Sequence, residues 1–123
     1  MRYCASGQAL GYPIRAVAEF CGGDIQCTIT GGCSPHIGSV SFAYWNDGKA
    51  ELHTFQRPHH KDAVVGDRFA LELAGTLRCT VAVSCGIHYE NPTRDDLELV
   101  VQCGETVLQD LLGQLGDSSY PRG

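Results

Sequence analysis

Four of the five histidines of this chain stand in three short polar segments. His36 closes Gly31-Gly32-Cys33-Ser34-Pro35-His36. His59 and His60 lie within Arg57-Pro58-His59-His60-Lys61-Asp62, and His88 within Gly86-Ile87-His88-Tyr89-Glu90-Asn91. An imidazole changes charge near neutral pH and, when neutral, offers a ring lone pair to a metal. Gathered together, His36, His60 and His88 could hold a divalent metal, with Glu90 or Asp62 as a fourth ligand or a supporting hydrogen-bond partner. A metal-dependent enzyme using this three-histidine loop site is the alternative function, although no helical His-Glu-x-x-His pattern supports a zinc hydrolase. Cys33 lies three residues before His36, but the intervening proline works against a thiolate–imidazole nucleophile. The other chemistry open to these segments is anion binding. Arg57, Lys61 and the free amides of helix N-termini could take a phosphate, with Tyr89 or Tyr44 against a flat ring. That describes flavin mononucleotide (FMN) or a related phosphorylated aromatic cofactor.

Gly31-Gly32 reads either as a plain turn element or as a place where backbone approaches a ligand closely. It has neither the spacing of a dinucleotide fingerprint nor the lysine of a P-loop. Asn91-Pro92-Thr93 has proline in the middle, so it is no glycosylation signal; it reads as a stop followed by a helix cap. His53 falls mid-strand and reads as an ordinary surface residue.

The elements that must position these segments can be read from periodicity. Gly22-Gly23 sits between two strand-like runs, and a two-residue turn there pairs Phe20 with Ile25, Ala18 with Cys27 and Ala16 with Ile29 on one apolar face. A second hairpin is expected from His36 to Tyr44 and from Lys49 to Phe55, turning at Asn46-Asp47-Gly48. Val65, Phe69 and Leu73 recur by four, which predicts an amphipathic helix over about 62–77. Cys79, Val81, Val83 and Cys85 alternate with small residues, as in a strand. Thr93 is a good N-cap, with Asp95 and Asp96 behind it, and Leu97 to Leu115 follow at helical spacing until Gly113 and Gly116. The predicted order is β-β-β-β-α-β-α: an α+β fold with a single, mostly antiparallel sheet and two helices packed on one face. Counting reversals along that order brings all three histidine segments to the same edge of the sheet.

Composition narrows the classes. With 123 residues there is room for one domain, with an ordered core expected over about 13–115 and a polar tail over 117–123. A net charge of −5 argues against a nucleic-acid partner. No apolar run nears the ~20 residues of a membrane span, and the N-terminus lacks the basic-then-apolar pattern of a secretory signal. The seven cysteines are odd in number, show no Cys-x-x-Cys pair and fall mostly at apolar positions, so they are expected to be reduced thiols in a cytoplasmic protein.

Ile29-Thr30-Gly31-Gly32 followed by Pro35-His36-Ile37-Gly38 and Val40 resembles the opening motif of the LpdD-like proteins, a family named after the LpdD component of bacterial gallate decarboxylase. Pro58-His59-His60-Lys61-Asp62 is similar to the family's Pro-Gly-His-Lys-Glu segment, and Gly86-Ile87-His88-Tyr89-Glu90-Asn91 to its Gly-Ile-His loop. The motifs occur in the family's order, and the resemblance covers roughly residues 13–115. It implies a prenylated-flavin chaperone: an accessory protein, apt to dimerise, that binds prenylated FMN for a UbiD-type decarboxylase and does not itself decarboxylate. It also implies a fold like that of proteasome-assembly chaperones. Carried over by position, it singles out His36, His60, Lys61 and His88, and Gly31, Gly32, Pro35, Arg57, His59, Tyr89 and Asn91 complete the expected binding set. His59 stands where the family has glycine, Asp62 where it has glutamate, and Cys33 where a polar residue is expected.

Overall fold

In the computed structural model, which describes residues 1–58 and 60–117, eight elements follow one another. They are β1 (Arg2–Ala9), β2 (Tyr12–Cys21), β3 (Asp24–Gly32), β4 (Ser39–Asn46), β5 (Lys49–Gln56), α1 (Ala63–Leu77), β6 (Val81–His88) and α2 (Arg94–Gly116). His59 and the tail 118–123 lie outside the described residues.

The β2–β3 hairpin forms in the register that its alternation dictates, with Phe20 opposite Ile25, Ala18 opposite Cys27 and Ala16 opposite Ile29. The apolar members of those pairs lie on one face and are buried or half-buried, while Glu19, Gln26 and Thr28 are exposed on the other. The second hairpin turns on Asp47-Gly48, both at positive φ, which is what a two-residue turn between twisted strands requires. Its first strand begins at Ser39 rather than His36, so His36 belongs to the loop.

Two expectations need correction. Alternation predicts five strands, whereas the sheet has six, because Arg2–Ala9 pairs with β2 along its whole length. The sheet therefore begins at Arg2. The inward side of β1 carries Tyr3, Ala5, Gly7 and Ala9, too small and too sparsely branched to announce a strand. Close packing explains that choice: α2 lies over β1 and β2, and a Cβ on Gly7 would come within 2.8 Å of Cys103 Sγ. The second correction concerns sheet type. The strand order is β1-β2-β3-β6-β4-β5, with β6 inserted beside β3 and parallel to it, so the sheet is mixed rather than mostly antiparallel.

Both helices cover the same face. α1 buries Gly66, Phe69, Ala70, Leu73 and Ala74 against β4, β5 and β6, and α2 buries Val107, Leu108, Leu111 and Leu115. Between them the buried strand residues Ile14, Ile29, Val81, Val83 and Cys85 form one continuous core. Thr93 caps α2 as expected, in a full capping box with Asp96. Gly113 does not end that helix; it runs on to Gly116. None of the seven cysteines is in a disulfide, and burial alone pushes the Cys27 thiol up to about 12. Among the described residues, no helix is long and apolar enough to cross a membrane.

Candidate functional site

The C-terminal ends of β3, β5 and β6 lie at one edge of the sheet, together with the start of β4. The three histidine-bearing segments therefore meet, as reversal parity requires. The His36 and His60 rings approach edge-on at 5.1 Å between centroids, and the His36 and His88 rings at 6.4 Å. Inserting β6 between β3 and β4 does not disturb this outcome, because it alters which strands are neighbours and not the direction in which each runs.

Backbone contacts hold the three segments tightly. The Cys33 amide donates to the His88 carbonyl, the Gly38 amide to that of Cys85, and the Arg57 amide to that of Gly38, each at 2.9 Å. Glycine is needed where the chains cross. A Cβ on Gly86 would overlap the His36 carbonyl, and one on Gly38 would overlap the Asp62 carboxylate. Gly31 and Gly32 lie inside β3, not in a turn. A Cβ on Gly32, at φ +80°, would collide with the His88 carbonyl, and one on Gly31 would crowd Ile14. Their close approach is to neighbouring chain. His88 is likewise the last residue of β6, with an exposed side chain 3.3 Å from Glu90.

Asp62 is the residue that sequence reasoning undervalued. It is 6% exposed; one carboxylate oxygen accepts the Ile87 amide at 2.8 Å, and the other lies 3.4 Å from His36 Nε2. In sequence it stands only beside Glu90, as one of two acidic candidates for a fourth ligand or supporting partner of the histidines. Its burial depends on the passage of β6 behind it, which no local pattern records.

The expected metal set is rearranged. His36, His60 and Asp62 each bring one possible ligand atom within 4.8 Å of the others, whereas His88 groups instead with Cys33 and Glu90 in a second, exposed set. The anion-binding features are altered too. In the first turn of α1 the Ala63 amide is taken by the Gln56 side chain and those of Val64, Val65 and Gly66 by Lys61 and Asp62 carbonyls. The first turn of α2 carries Asp95 and Asp96, whose charge opposes a phosphate. The exposed side chains of Arg57 and Lys61 are left for that role.

The two aromatic candidates are engaged elsewhere. Tyr89 donates its hydroxyl to the Ala9 carbonyl at 2.8 Å and meets Tyr12 edge-on, tying the end of β6 to the β1–β2 turn; burial pushes its phenol up. Tyr44 stacks on His53, five residues along β4 from its site-facing end. Pro35 and Asn91 are exposed at the rim, Asn91 at φ +45°. What the sequence did not single out is an apolar groove of about 270 Å³ lined by Ile37, Gly38, Ser39, Val40, Phe55, Gln56 and Arg57. Phe55 is 79% exposed and Ile37 57%. Two large apolar side chains in water beside a polar cluster are a signal that alternation alone could not distinguish from strand residues.

The family model of the prenylated flavin chaperone LpdD-like domain matches residues 8–116. The chain belongs to the prenylated flavin chaperone LpdD-like family. Protein LpdD of Lactiplantibacillus plantarum is 23% identical over 107 residues, which cover 85% of this chain and 79% of that protein. A solved structure, the crystal structure of a novel chaperone complex for yeast 20S proteasome assembly, superposes with a TM-score of 0.56 at 11% identity, over 94% of this chain and 95% of its own. That likeness concerns the fold alone, and it is the fold that the family resemblance implied.

Proposed function

We propose that the chain is a cytoplasmic, non-catalytic accessory protein that binds prenylated FMN, or FMN itself, at the His36–His60–His88 edge and delivers it to a UbiD-type decarboxylase. The observation that carries this reading is the meeting of all three family motifs from segments far apart in sequence, with the His36 ring 5.1 Å from that of His60 and 6.4 Å from that of His88. The apolar groove beside them supports it further. Ile37, Val40 and Phe55 offer a surface for a flat tricyclic ring, and Arg57 at the groove's end offers charge-assisted hydrogen bonds to a phosphate. Lys61 lies one residue from His60 and adds a second cation. The expected assembly is a homodimer, which light scattering would detect.

The test is titration of the metal-free chain with FMN and with prenylated FMN, followed by flavin fluorescence. Saturable quenching is expected. Arg57→Ala should weaken binding by about 10-fold or more, the effect of one charge-assisted contact worth roughly 1.5–3 kcal/mol. His60→Ala should weaken it while leaving the far-ultraviolet circular dichroism unchanged. No binding of either flavin, or binding untouched by both substitutions, would remove this reading. Transfer to the decarboxylase is tested separately, by adding the loaded chain to the flavin-free enzyme and measuring recovery of decarboxylation.

A further inference from the structure

We propose that His36, His60 and Asp62 form a binding site for a divalent first-row transition metal, each supplying one ligand and leaving at least one coordination position open. His88, named beside His36 and His60 by sequence reasoning, is not part of this site.

The first observation is that both rings are already oriented as metal ligands are. His36 Nδ1 lies 3.0 Å from the Ser34 carbonyl, and His60 Nδ1 lies 2.9 Å from the Pro58 carbonyl. A carbonyl oxygen only accepts, so each Nδ1 carries the hydrogen, and the lone pair of each neutral imidazole falls on Nε2. A backbone carbonyl holding the distal N–H is the usual support for a metal-bound histidine. Two loops from different parts of the chain use the same contact, each to the residue two positions earlier.

The second observation is a polar atom with nothing to satisfy it. His36 Nε2 is buried and, among the described residues, has no hydrogen-bond partner. It faces an Asp62 oxygen at 3.4 Å, and that carboxylate, 4% exposed at the side chain, accepts the Ile87 amide through its other oxygen. A buried lone pair opposed to a carboxylate oxygen is repulsive unless a cation lies between them. A charge-assisted N–H···O bond would draw the two atoms to about 2.7–2.9 Å. The separation found instead suits two ligands of one ion: bonds of about 2.1 Å at tetrahedral angles place neighbouring ligand atoms roughly 3.4 Å apart.

The third observation is how closely the donors pack. All three ligand atoms lie within 4.8 Å of one another. Gly38 permits this, since a Cβ there would overlap the Asp62 carboxylate and reach within 2.9 Å of His60 Cδ2. Two imidazoles and one carboxylate favour zinc, cobalt, nickel, iron or manganese over magnesium and calcium, which prefer oxygen alone. The Cys33–His88–Glu90 set lacks these features; it is exposed, and His88 already has Glu90 as partner. One consequence deepens the flavin reading and rests on it. The buried Asp62 charge would repel a phosphate bound beside it, and a divalent ion reverses that local sign while its open position can accept an anionic oxygen.

The test uses the tag-free chain, stripped with chelator and free of flavin, titrated with Co(II) and followed by its visible d–d absorption, with Zn(II) calorimetry alongside. One ion per chain is expected. His60→Ala and Asp62→Asn should each weaken binding on the order of 100-fold, and His88→Ala should leave it within about threefold. The Asp62→Asn side chain retains an oxygen to accept the Ile87 amide, and near-ultraviolet circular dichroism checks that both variants fold. Absence of stoichiometric binding, or binding that His88→Ala removes and His60→Ala does not, overturns the proposal. Neither result touches the flavin titration, which is made without metal.

Discussion

Gly38 and Gly86 show how much of the site depends on side chains that are absent. At both positions a methyl group would be driven into a neighbouring chain, the Asp62 carboxylate in one case and the His36 carbonyl in the other. At Gly38 the Asp62 side chain must shift, whereas at Gly86 the overlap is with backbone and is relieved only by backbone movement; overpacking typically costs about 1–3 kcal/mol. Gly86→Ala is expected to lower stability by that amount in urea denaturation and to shift the His36 and His60 ring resonances, since the segment bearing His36 must move away from β6. Unchanged stability and unchanged ring resonances would contradict the crossing described. Asp62 belongs to the same scale. Its neighbours in sequence, Lys61 and Ala63, say nothing of the Ile87 amide 25 residues away, so its burial could not be read locally. The histidines could be located because residue type and turn chemistry are local signals; the burial that sets Asp62 apart from Glu90 could not.

Among the elements, the β2–β3 hairpin and both helices were legible because each carries a full apolar period along its own length. β1 was not, since Ala5, Gly7 and Ala9 are small to make room for α2. Its turn also departs from custom. Leu10 sits at φ +54° beside Gly11 at +83°, a left-handed conformation that costs a branched residue roughly 1–2 kcal/mol. Leu10→Asn would create Asn-Gly, the preferred pair for this turn. It is expected to raise stability by about 0.5–1 kcal/mol in urea denaturation, because the 38% exposed leucine contributes little packing in exchange. A loss of stability would mean that Leu10 packs more usefully than its exposure indicates. The position of β6 was a different matter. Which strands it separates is a choice between distant segments, and the alternation of Val81, Val83 and Cys85 is equally consistent with a central strand in several orders.

For the molecule as a whole, the single core makes an alkaline limit predictable. Burial raises the Cys27 thiol to about 12 and pushes the Cys85 thiol up still further, with the Asp62 charge adding to that second shift. Both stay protonated in the fold, whereas in the unfolded chain they ionise from about pH 9 upward. Above that pH the unfolded state therefore holds fewer protons, and stability must fall as pH rises. The contribution is intact below about pH 9 and declines at about 1.4 kcal/mol per pH unit for each thiol. Urea denaturation under reducing conditions at about pH 8 and pH 10 should differ by about 2–3 kcal/mol, and Cys27→Ala should remove roughly half of the difference. The proposed function requires one small molecule to touch three separated segments at one sheet edge. A crystal structure of the chain with prenylated FMN tests it most directly. The ligand is expected against residues of all three segments, with its ring over Ile37 and Phe55 and its phosphate toward Arg57 and Lys61. A ligand seated instead in the groove between the helices, among Val65, Phe69 and Val101, would contradict it.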